Sequence, residues 1–226
     1  MTAAELLRQT CNRYAQAAFY RDEGQVRMES ANGAGSICAR FRTMFARSRS
    51  LLWFDFIIAA GDGIKSARFT LEVLSGRVVT VHGINAPYPK TVGDATAAMA
   101  GITFGAIHIV PRMLLPDEVR GRMICAEPAR FSEDVIFQRE TERAVELDAS
   151  RTLLRISLTD TTLREVRSFR DVSEQLRAAA LSRGGDADTL MSWISSITYE
   201  PQIASLEPAD LDLEFAAWIS QWGTEL

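Results

Sequence analysis

Histidine is nearly missing from this chain. There are two in 226 residues, His82 and His108, beside 29 acidic side chains. Metal centres and serine or cysteine triads use histidine at defined positions, so both chemistries have little to build on. His82 falls near the end of a predicted strand. His108 lies in the apolar run Gly105-Ala106-Ile107-His108-Ile109-Val110, where a hydrogen-bonded core residue is the ordinary reading. Cysteine is as sparse: Cys11, Cys38 and Cys125 are far apart, show no CxxC spacing and cannot all pair, so no disulfide framework is expected. Basic residues are outnumbered, 25 to 29, and the net charge of −4 makes no electrostatic case for nucleic acid. Arg40, Arg42, Arg47 and Arg49 cluster locally, but strand alternation turns several of them to solvent.

Long apolar runs are absent too, and no stretch reaches the roughly 18 residues of a spanning helix. The first 17 residues lack the basic start, apolar core and cleavage site of a signal peptide, so either the protein is cytoplasmic or a signal has been removed. GxSxG, HExxH and phosphate-binding glycine loops do not occur. Adjacent acids do occur, at Asp22-Glu23, Asp117-Glu118 and Glu133-Asp134. Neighbours on a strand face opposite ways, so Asp22 and Glu23 are poorly placed to share acid–base work. No catalytic residue, metal site or cofactor is expected.

What the chain does have is alternation. Hydrophobic content of 47% against 24% charged is ordinary for a globular protein able to bury a sizeable core. Residues 3–18 place Leu6, Leu7, Cys11, Tyr14 and Ala18 at helical spacing. Strands are predicted at Tyr20–Ser30, Ile37–Ala46, Leu51–Ala59, Ala67–Leu74 and Arg77–Ile84. Their separators are short and turn-rich, including Ala60-Gly61-Asp62-Gly63 and Ser75-Gly76, which favours an antiparallel meander. A helical stretch from Thr91 to Thr103 restarts through Ala106–Leu115, bounded by Pro87, Pro89 and Pro116. Further strands are predicted at Val135–Gln138, Arg143–Asp148, Leu153–Thr159, Leu163–Phe169, Ser192–Ile203 and Leu211–Phe215, with a helix over Asp171–Ser182. No repeat, low-complexity run or linker interrupts the chain, and residues 1–226 are expected to form one domain.

The faces follow from the alternation. Phe41, Thr43 and Phe45 share one side of the second strand, and Phe69, Leu71 and Val73 one side of the fourth. The third strand is apolar on both sides apart from Asp55, as in a strand that is central or covered on both faces. Phe41, Phe45, Phe54, Phe56 and Phe69 would thus project together. Packed core is the default meaning of such a face. The cover segment, carrying Met99, Met113, Leu114 and Leu115, keeps a ligand cavity open as the other reading, because methionine adapts to irregular apolar partners.

Five stretches, residues 20–26, 41–47 with 52–56, 108–119, 153–156 and 197–203, together resemble the periplasmic lipoprotein-carrier superfamily, LolA/LolB-like. Tyr20-Arg21-Asp22-Glu23-Gly24-Gln25-Val26 looks like its first strand. Phe41-Arg42-Thr43-Met44-Phe45-Ala46-Arg47, followed by Leu52-Trp53-Phe54-Asp55-Phe56, is similar to its aromatic signature, with Ser48 where that signature has proline. His108 to Val119 looks like a lid segment, and Leu153-Leu154-Arg155-Ile156 and Ile197-Thr198-Tyr199-Glu200-Pro201-Gln202-Ile203 fit late strands. The resemblance implies an α+β, mainly antiparallel fold: an unclosed half-barrel of about ten or eleven strands with helices covering the concave face. It implies a non-enzymatic carrier in the periplasm or cell envelope that holds lipid or lipoprotein acyl chains, with an envelope protein as a further partner. The ligand-binding residues would be Phe41, Phe45, Arg47, Trp53, Phe54, Phe56, Phe69, Leu71, Met113 and Leu114, with Arg47 in the lid-locking role. The alternative is an interaction domain of the same fold with no ligand cavity.

Overall fold

Among the described residues, ten antiparallel strands form one open sheet in the order β5-β4-β3-β2-β1-β10-β9-β8-β7-β6. The computed structural model describes residues 1–30, 36–58, 67–82, 91–100, 103–115, 128–132, 141–147, 152–170 and 193–222. The strands are β1 (Phe19–Ser30), β2 (Ser36–Ala46), β3 (Leu51–Ile58), β4 (Ala67–Leu74), β5 (Arg77–His82), β6 (Ala129–Phe131), β7 (Glu142–Leu147), β8 (Thr152–Ser157), β9 (Leu163–Arg170) and β10 (Trp193–Ala204). The helices among the described residues are α1 (Ala3–Ala15), α2 (Val92–Ala100), α3 (Val110–Leu114) and α4 (Leu211–Trp222). With β5 and β6 at its two ends the sheet is unclosed, and the architecture is the half-barrel expected.

Strands β1 to β5 are the meander that the alternation predicts, and their bounds lie within two residues of the expected ones. The β4–β5 hairpin turns on Ser75 and Gly76, with φ of 51° and 74°. Positive φ at both central residues matches the twist of the flanking strands. The second half of the sheet joins the first where the first and last strands pair: β1 and β10 run side by side from Phe19↔Ala204 to Ser30↔Trp193.

Helix α1 opens on a capping box, with Thr2 and Glu5 each satisfying the other's backbone N–H. Its buried stripe of Leu6, Leu7, Cys11 and Tyr14 joins α2, α3 and the inner sheet face in one apolar core. The other sheet face is covered by α4. Leu211–Phe215, expected as a strand, is the first part of this helix. Leu211-Asp212-Leu213-Glu214-Phe215 alternates like a strand, but Leu211, Phe215, Trp218 and Ile219 also recur at helical spacing. That is the stripe which packs against Phe19, Met44, Leu51 and Trp53, while Leu213 is left exposed. Asp212 and Glu214 in the first turn suit the positive end of the helix dipole. The strand expected at Val135–Gln138 and the helix at Asp171–Ser182 lie outside the described residues.

Candidate functional site

The inner face of β2, β3 and β4 carries a run of stacked and tilted rings. Phe41 and Phe54 have centroids 5.9 Å apart, Phe54 and Phe56 6.4 Å, and Phe56 and Phe69 6.4 Å. Register produces this directly, because Phe41 pairs with Phe56 and Phe56 with Phe69 across neighbouring strands. Phe45 and Leu71 complete the apolar surface. The position beside Phe41 on β1 is Gly24. A Cβ built there would sit 2.1 Å from Phe41 Cζ and 2.6 Å from the Thr198 carbonyl oxygen, so only glycine lets the ring lie across β1.

The cover consists of α2, a 3-10 turn (Ala106–His108) and α3. Phe104 and Gly105, at φ 52° and 89°, break it between its two helices. Val92, Ala95, Met99, Ala106, Ile107, Val110, Met113 and Leu114 are buried in the same core as the rings, and Phe104 packs edge-on against Phe56 at 6.1 Å. His108 is a hydrogen-bonded residue, with Nε2 3.0 Å from the Thr96 carbonyl. His82 is exposed at the end of β5. The Cys11 thiol meets the Met113 thioether at 3.7 Å, which joins α1 to α3.

Eight of the ten residues expected to bind ligand therefore come together: Phe41, Phe45, Phe54, Phe56, Phe69, Leu71, Met113 and Leu114 share one core. Trp53 does not. It faces outward between Phe215 and Trp218, with ring centroids 6.2 and 5.6 Å away. Alternation along β3 puts it with Leu51 and Asp55, on the face opposite Phe54 and Phe56. Arg47 lies at the junction of α1 and β1, where its Nε donates to the Ala17 carbonyl at 2.8 Å and its guanidinium stands 5.0 Å from the Phe45 ring. Asp55, fully buried on the outer face, accepts from Arg68 and Thr70.

A polar group inside the apolar face escaped the sequence reading. Asp22 lies on the inner side of β1, 2% exposed, and accepts from the Tyr20 hydroxyl at 2.5 Å. Burial pushes its carboxyl up to about 7. The Tyr20 hydrogen bond and the nearby Thr43 hydroxyl and backbone N–H oppose that shift, and the charge of Glu23 adds to it. Tyr199 on β10 and Tyr14 on α1 complete the group. Tyr14 packs 5.5 Å from Tyr20 and accepts from the Leu163 backbone N–H at 3.0 Å. Burial raises the hydroxyl pKa of Tyr14, Tyr20 and Tyr199, and Asp22 adds to each rise. Glu23, the next residue, faces outward and pairs with Arg42 at 2.6 Å, as strand alternation requires. Among the described residues no group of three or more His, Cys, Asp or Glu is arranged to hold a metal ion, and no helix is long and apolar enough to cross a membrane.

No family model matches the chain. No curated protein matches it either. Solved structures do. One is the Pseudomonas aeruginosa MucA/MucB complex, at 10% identity and TM-score 0.45, covering 92% of this chain and 59% of that one, so this chain spans under two thirds of it. A second is a LolA superfamily protein from Nitrosomonas europaea, at 9% identity and TM-score 0.33, covering 93% and 97%. A third is a DUF1329 family protein from Desulfovibrio piger, at 7% identity and TM-score 0.32, covering 95% and 97%.

Proposed function

We propose that residues 1–226 form one half-barrel domain that acts as a non-enzymatic carrier or binding protein of the periplasm or cell envelope. Its ligand is the acyl chain of a lipid or lipoprotein, taken between the inner sheet face and the segment from Thr91 to Leu115. The observation that carries this reading is the floor of four rings, Phe41, Phe54, Phe56 and Phe69, beneath a cover of short broken helices. As packed, Phe41, Phe54 and Phe56 have no exposed surface. An incoming chain therefore replaces the side chains of the cover rather than filling an empty space. Binding is an exchange: the ligand gains about 25 cal/mol per Å² that it buries, less what the displaced cover residues lose. Met99 and Met113 suit that exchange, since an unbranched thioether repacks against many shapes.

The completeness of the packing also favours a second reading, an interaction domain that keeps the fold and has no ligand cavity. Native mass spectrometry of protein purified without detergent separates the two. The carrier reading expects a bound species that releases fatty acyl chains on denaturation. Protein that emerges bare, and that also fails to take up a fluorescent acyl probe, supports the interaction domain.

A further inference from the structure

Of the buried polar atoms on the inner face that lack a hydrogen-bond partner of good geometry, three lie together: Asp22 Oδ1, Thr43 Oγ1 and Tyr199 Oη. They are close to one another in the sheet. Asp22 pairs with Thr43 across β1 and β2, and Tyr199 pairs with Gly24, two residues along β1 on the same face. Thr43 favours the Asp22 carboxylate from its side chain and its backbone, yet neither Thr43 Oγ1 nor Asp22 Oδ1 completes a bond. Each unpaired buried polar atom is costly, and a group of three in one place calls for an occupant. The group also adjoins the aromatic floor, because Tyr199 packs edge-on against Phe41 at 5.4 Å.

All three atoms can accept a hydrogen bond. A primary ammonium has three N–H donors and one positive charge. The groups acting most strongly on Asp22 besides burial are Tyr20, Thr43 and Glu23, and none is a cation. The other titratable groups facing it are Tyr14 from α1 and Tyr199 from β10. A buried carboxyl in that setting rises in pKa and favours its neutral form, and an incoming cation reverses the shift. Tyr199 also lines a polar surface groove with Ser157, Asp160, Arg164 and Glu200.

We propose that Asp22, Thr43 and Tyr199 form a subsite for the primary ammonium of an amine-bearing amphiphile whose chain lies on the Phe41–Phe69 floor. This rests on the carrier reading above. The subsite takes an –NH3⁺ group with each N–H on one acceptor. It discriminates against an alcohol, which has one donor and no charge, and against a bare amine, which has no chain for the floor.

The test is a set of calorimetric titrations at pH 7.5 with dodecylamine, dodecanol and ethanolamine, each below its aggregation limit, on the wild type, Asp22→Asn and Thr43→Val. The wild type is expected to bind dodecylamine at least tenfold more tightly than dodecanol and to ignore ethanolamine. Asp22→Asn should collapse the amine-over-alcohol preference towards one, and Thr43→Val, nearly equal in volume, should reduce it several-fold. Should Asp22→Asn not fold, Thr43→Val alone decides. Equal binding of amine and alcohol by the wild type overturns the subsite and leaves the polar atoms holding solvent only. A preference that survives both substitutions overturns it as well. If none of the ligands binds, the carrier reading itself has failed, which is a distinct result. If ethanolamine binds as well as dodecylamine, the site takes free amines, and its link to the floor is wrong.

Discussion

Cys11 on α1 and Met113 on α3 meet sulfur to sulfur at 3.7 Å, both buried. They belong to helices almost a hundred residues apart in sequence, and the contact makes the two covering elements one layer over the sheet. It is a soft contact between polarizable atoms, and the proposed carrier function requires this layer to part from the rings beneath it.

Phe56→Ala and Trp53→Ala should separate binding from stability. Both residues are buried aromatics on β3, but they point to opposite faces. Each substitution is expected to cost about 3–5 kcal/mol in urea unfolding. Only Phe56→Ala should also weaken acyl-chain affinity of the folded protein, by about tenfold, the result of a loss of roughly 1.4 kcal/mol. Equal effects of the two on affinity would make Phe56 ordinary core.

Gly24→Ala tests how closely the floor is fitted. The added methyl meets both the Phe41 ring and the Thr198 backbone oxygen, and the backbone atom cannot rotate away. A loss of about 2 kcal/mol or more is expected. Adding Phe41→Leu should recover only part of it, because the clash with Thr198 remains.

Much of this arrangement is legible along the chain, and the illegible parts share a cause. The first five strands follow from strict alternation between short turns, such as Phe69, Leu71 and Val73 against Arg68, Thr70 and Glu72. What fails to show is whatever depends on distant segments. The β1–β10 pairing joins Tyr20 to Ile203, and nothing in either strand names its partner. The group around Asp22 draws on Tyr14, Thr43 and Tyr199 from three other elements, whereas in sequence Asp22 stands beside Glu23, which faces the other way. Helix α4 is hidden differently: Leu211, Leu213 and Phe215 alternate like a strand, Leu211 and Phe215 fit a helix as well, and only Trp218 and Ile219 beyond them decide for the helix.

Asp22 gives a pH signature. Burial pushes its carboxyl up to about 7 from the ordinary 3.8, so the folded state holds this proton more tightly than the unfolded chain. Its contribution to stability is therefore greatest below about pH 4, declines as pH rises through the interval, and is flat above about 7. Asp22→Asn removes that slope. The stability difference between variant and wild type, from denaturant unfolding at successive pH values, should grow in the variant's favour by a few kcal/mol between pH 4 and 7. A constant difference would mean Asp22 is already ionised in the folded core.

The central claim is that an acyl chain replaces the cover on the aromatic floor, and locking the cover tests it most directly. Met113→Cys, with Cys38→Ser and Cys125→Ser, places a second thiol opposite Cys11, so that oxidation can tie α1 to α3. The measurement is the affinity for a fluorescent acyl probe before oxidation, after it, and after reduction, beside the same protein carrying Cys11→Ala. Binding that falls at least tenfold on oxidation and returns on reduction, with no change in the Cys11→Ala control, is the predicted result. Equal binding by the locked and unlocked protein would place the probe elsewhere and contradict the account.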